Sequence, residues 1–138
     1  MESKAKLFGH PIHPMLIVFP LGLLVTSLIF DLIALLTNEA SLAVASFYMI
    51  GAGVIGGLLA AVFGLIDWLA IPPGTRAKSI GLWHGLGNVL VTGFFILSWF
   101  LRRDAPEAPE AAALILSLLG AAYVRSIESE AYDTTKTT

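Results

Sequence analysis

The chain has three histidines, and where they fall decides what chemistry it can attempt. His10 and His13 lie in His10-Pro11-Ile12-His13-Pro14, at the mouth of the first long apolar run. Asp67 closes the second run, and His84 stands near the start of the third. If successive runs cross a bilayer in alternating directions, all four residues gather on one side at similar depth. Polar groups at a membrane boundary are costly unless they are paired or bound to something. Imidazole and carboxylate suit zinc, iron or manganese, so His10, His13, Asp67 and His84 form a candidate metal set. Two of His10, His13 and His84 can instead ligate haem axially, or face a quinone-type redox partner, given opposed helices and an apolar slot. The third reading is a polar lock, in which His13 caps the first helix and Asp67 accepts a hydrogen bond from His84 or a loop N–H.

The elements that must position these residues are membrane spans. Hydrophobic residues make up 57% of the chain and charged residues 13%, with a mean hydropathy of +0.83. A soluble domain carries about 25% charge; the deficit, together with long uncharged runs, points to an integral membrane protein. A net charge of -2 gives no reason to expect nucleic acid or another strongly charged partner. With no cysteine there can be no disulfide, thiolate metal site, cysteine-ligated iron–sulfur cluster or CxxCH haem attachment. The first run reads as a retained span, because the stretch after Pro14 is too long for a cleaved signal and no small-x-small site follows it.

The pattern predicts an all-α, antiparallel up-down bundle of four transmembrane helices. A polar segment, 1–13, precedes spans at about 14–36, 42–71, 80–101 and 110–124, and a polar tail covers 125–138. Pro14 suits a first helical position, which makes His13 the N-cap. Pro20 must bend the first span or be accommodated by a neighbour. The second span, at 1.5 Å per residue, is roughly 45 Å long and must tilt or project beyond a core of about 30 Å. Pro72-Pro73-Gly74 stops it. The fourth span is short, with a frayed tail behind it and no soluble domain appended. No internal repeat stands out. Lys4, Lys6, Arg76, Lys78, Arg125 and Lys136 fall on one side, against Arg102 and Arg103 on the other. That asymmetry places both termini, and the His/Asp set, on the cytoplasmic side.

Gly53, Gly57, Ala60, Gly64 and Asp67 follow one another at three- and four-residue spacing on one face of the second span. Small residues at this spacing let helix backbones approach, and Asp67 then points at a neighbouring helix. His84 and Asn88 share a face of the third span. Trp68, Trp83 and Trp99 read as interfacial belt anchors. Asp31 stands apart, near the far end of the first span, bonded to Thr26, Asn38 or the loop, or else part of a polar path.

At these residues the chain resembles a bacterial family designated DUF2231. The likeness is carried by Gly9-His10-Pro11-Ile12-His13-Pro14, by Gly64-Leu65-Ile66-Asp67-Trp68 and by Trp83-His84-Gly85-Leu86-Gly87-Asn88, over roughly residues 7–124. The resemblance implies a small inner-membrane protein of four spans. Fusion of relatives to Rieske-type or cytochrome-type domains implies a membrane redox setting. Many relatives end in a Gly-Gly-rich stretch with a further histidine, whereas Ala121-Ala122-Tyr123-Val124-Arg125-Ser126 has none.

No serine or threonine is visibly paired with a base, no phosphate loop is present, and the carboxylates are scattered, so autonomous catalysis is not expected. The leading expectation is a haem b or transition-metal (zinc, iron) site serving electron transfer in a larger membrane assembly or homo-oligomer. The alternative is an accessory or scaffold subunit whose polar cluster only fixes helix geometry. A carrier using Asp31 and Asp67 is a third class, without the inverted repeats typical of many transporters.

Overall fold

A computed structural model describes residues 6–136, with Lys6, Pro11 and 127–136 as main chain only. Lys4 and positions 137–138 lie outside the described residues. Four helices, α1 (Ile12–Thr37), α2 (Ala40–Ala70), α3 (Arg76–Arg102) and α4 (Ala111–Lys136), pack antiparallel. A two-residue ribbon, β1 (Lys6–Leu7) and β2 (His10–Pro11), precedes them, with Leu7 opposite His10. Phe8 and Gly9 turn the ribbon, both with positive φ (51° and 80°). Such pairs match the twist of a tight hairpin.

α1, α2 and α3 are each long and apolar enough to cross a membrane; α4 carries a shorter apolar stretch, Ala111–Ser126. Leucine and valine side chains such as Val18, Leu36, Leu69 and Val89 face outward, as lipid-facing residues must. Thr75 caps α3, its hydroxyl accepting from the Lys78 backbone N–H at 3.2 Å. That cap starts α3 at Arg76 rather than near residue 80. α1 begins at Ile12, so Pro14 lies within the first turn and His13 is a helical residue, not the cap. The first turn has no intrahelical partner for its N–H groups, so Pro14 costs nothing there. α4 continues as helix to Lys136, through the segment read as frayed.

The core is small. Ile50, Val91 and Phe95 are buried, with Leu24, Leu28, Val54, Trp99, Tyr123 and Val124 packed around them, so every helix contributes. Trp99 packs against this layer and stacks on Phe47 at 5.3 Å between centroids.

The small-residue face of α2 receives α1. A Cβ at Gly53 would meet Leu24 at 2.9 Å, and one at Gly64 would meet the His13 ring at 2.8 Å. Pro20 is buried against Gly56 and Gly57, which is how the helix tolerates it. The face is therefore filled within the chain.

Candidate functional site

The three imidazoles have separate partners. His13 is half-buried, and its Nδ1 lies 2.8 Å from the Ala60 carbonyl of α2. A carbonyl only accepts, so Nδ1 is the protonated, donating nitrogen in this contact. His10 is exposed on the ribbon and likewise donates from Nδ1 to the Phe8 carbonyl, at 3.1 Å. His84 is exposed on α3, where its Nε2 accepts from the Asn88 amide at 2.9 Å. The same amide nitrogen donates to the His84 carbonyl, which fixes its orientation. Asp67 is half-buried one turn beyond Gly64. Among the described residues, no three His, Asp or Glu side chains are grouped closely enough to hold a metal ion. Trp68 ties α2 to α3: its indole N–H donates to the Lys78 carbonyl at 2.9 Å, and the Lys78 ammonium reaches the Trp68 carbonyl at 2.7 Å.

The strongest polar centre lies at the other end of the bundle. Asp31 is not bonded to Thr26, Asn38 or the loop. It receives both terminal nitrogens of Arg102, at 2.8 Å each, in a bidentate pair. Arg102 is 0% exposed and Asp31 4%, so the charges are removed from water. The remaining donors of the guanidinium are also taken. Nε reaches the Ser98 hydroxyl at 3.2 Å, one Nη reaches Ser46 at 3.2 Å, and the other reaches Ser117 at 3.3 Å. All five N–H groups that an arginine owns are used.

The serines close the network consistently. Ser46 accepts from Arg102 and donates to the Ser27 carbonyl at 2.9 Å. Ser98 donates to the Ala113 carbonyl at 2.6 Å. Its hydrogen is then spent, so Ser117 is the donor in the 2.7 Å contact between the two hydroxyls. Among the described residues no buried side-chain nitrogen or oxygen lacks a partner. Each helix supplies a member: Asp31 from α1, Ser46 from α2, Ser98 and Arg102 from α3, Ser117 from α4. A cavity of about 250 Å3, lined in part by Asn38, Glu39 and Glu107, adjoins Asp31.

The sequence pattern ends the third span at about 101 and leaves Arg102 outside it with Arg103. Arg102 is instead the last residue of α3, and helical side chains lean toward the N-terminus. The guanidinium therefore runs back one turn to Ser98 and into the bundle. The helix C-terminus also favours a cation there. A signal was present: Ser27 and Asp31, and Ser98 and Arg102, are each four residues apart in largely apolar stretches of their helices.

Comparison with known proteins agrees with this architecture. Residues 9–127 match a family of predicted membrane proteins, DUF2231. No curated protein matches the chain, and no solved structure does.

Proposed function

The chain belongs to the DUF2231 family of predicted membrane proteins, and from that premise we propose that it is a non-catalytic accessory or scaffold subunit of a larger complex in the bacterial cytoplasmic membrane. The observation carrying this reading is the saturation of the buried centre. Every N–H of Arg102 is committed to an internal acceptor, so the pair is spent on holding four helices in register. Buried ionic groups are expensive, and fixing geometry is among their attested uses. Both termini face the cytoplasm in this reading. The Lys and Arg count supports it: Arg76, Lys78 and Arg125 stand on the side of the termini, against Arg102 and Arg103 on the other. Mild-detergent extraction from native membranes, followed by sizing and mass spectrometry, tests the proposal. Stoichiometric co-purifying membrane proteins support it; a solitary, monodisperse monomer counts against it.

A second reading is a haem b or transition-metal site drawn from His10, His13, Asp67 and His84. It is favoured by one observation: the Nδ1 groups of His10 and His13 both donate to backbone carbonyls. Ligating histidines are usually pinned that way, leaving Nε2 for the metal. An absorbance spectrum and elemental analysis of the purified parent and H84A separate the readings. A Soret band or stoichiometric metal that H84A loses selects the cofactor.

A further inference from the structure

We infer that the chain is two fused copies of one helical hairpin, α1–α2 and α3–α4, related by a pseudo-twofold axis along the membrane normal. The partners in the buried ion pair, Asp31 and Arg102, are 71 positions apart. The same shift carries Ser27 onto Ser98, Ser46 onto Ser117, Gly22 onto Gly93 and His13 onto His84. It carries the start of α2, Glu39-Ala40, onto the start of α4, Glu110-Ala111, without an insertion or deletion. The opening turns correspond too: Leu42 N–H bonds the Glu39 carbonyl, and Ala113 N–H bonds the Glu110 carbonyl.

Burial follows the repeat. Ser27, Asp31 and Ser46 are buried in the first hairpin; Ser98, Arg102 and Ser117 are buried in the second. Each hairpin has an even number of helices, so both begin on the same side of the membrane. That makes a parallel repeat about an axis normal to the bilayer, not the inverted kind.

The symmetry accounts for the charge pair. A residue close to a twofold axis faces its own counterpart. Like charges there would repel, whereas Asp31 in one copy and Arg102 in the other attract. The surroundings keep the correspondence. One Nη holds one Asp31 oxygen and Ser46; the other holds the second oxygen and Ser117. The copies differ where α1 runs on to Thr37 while α3 stops at Arg102. Pro106 and Pro109, absent from the matching positions of the first copy, keep the second from continuing as helix. Sequence alone hid the repeat because apolar residues exchange freely between the copies, and the matched charges have opposite sign.

Exchanging the charges tests the inference in the full-length protein. In the double variant D31R/R102D the new arginine has Ser27 one turn behind it, as Arg102 has Ser98, with Ser46 and Ser117 still flanking. D31R and R102D alone should each reduce folded, monodisperse protein about tenfold or more, and D31R/R102D should return it to near the parental yield. A double variant as damaged as either single would overturn the equivalence. A second arm leaves the charges untouched. Ile50 on α2 and Phe95 on α3 share the core, and their counterparts are Ala121 on α4 and Leu24 on α1. The chain has no cysteine, so L24C/A121C treated with a short bifunctional thiol reagent should crosslink. Failure of that pair to crosslink, in protein that elutes like the parent, would equally overturn the inference.

Discussion

Replacing Arg102 by methionine keeps much of its apolar stem and removes the guanidinium. Asp31 then loses both of its donors, while the serines lose the arginine but keep their own acceptors: Ser46 still donates to the Ser27 carbonyl, Ser98 to the Ala113 carbonyl, and Ser117 to Ser98. The damage falls on one stranded carboxylate, and breaking a buried pair in this way costs about 3–5 kcal/mol. D31L strands the guanidinium instead. Arg102, however, ends α3, and a cavity of about 250 Å3 adjoins its partner Asp31. Its long stem lets the head swing toward water, so the loss should be smaller, about 1–3 kcal/mol. D31L/R102M strands no charge and should lie within about 2 kcal/mol of the parent. Denaturant titration in mixed micelles, followed by circular dichroism, measures all four proteins. The expected order of damage is R102M, then D31L, then the double variant. Strictly additive losses, or an R102M loss below about 1 kcal/mol as for an exposed pair, would refute the reasoning.

Other outcomes follow from single contacts. G64A sets a Cβ 2.8 Å from the His13 ring and should cost about 1–3 kcal/mol by overpacking, with H13A/G64A less damaged than the sum of its parts in the same titration. G81A sets a Cβ 2.7 Å from Trp68; it should push the indole off the Lys78 carbonyl and change the tryptophan emission, whereas G85A, with nothing within 4 Å, should leave it unaltered. For orientation, A77C should resist an impermeant maleimide on intact spheroplasts until they are opened, while E107C should label at once; the reverse pattern would invert the topology. S98A removes the acceptor for Arg102 Nε and a hydroxyl that Ser117 donates to. It should destabilise by about 1–3 kcal/mol, more than S126A, whose hydroxyl is exposed.

Membrane residence, the helix count and the hairpin order are legible in the sequence because they depend on composition, run length and local stop signals. The stripe from Gly53 to Gly64 announces a close helix–helix face for the same reason: three- and four-residue spacing fixes direction along one helix, and α1 occupies that face. The His84–Asn88 contact is equally local. What lies across helices is a different matter. His13 as a helical residue bonded to Ala60, the meeting of Asp31 with Arg102, and the serine ring around them depend on how four cylinders are rotated and slid against one another. Nothing in a single apolar run encodes that register. It is set when the last residue of α3 leans back toward Ser98 and finds, from the other hairpin, a carboxylate at its own depth.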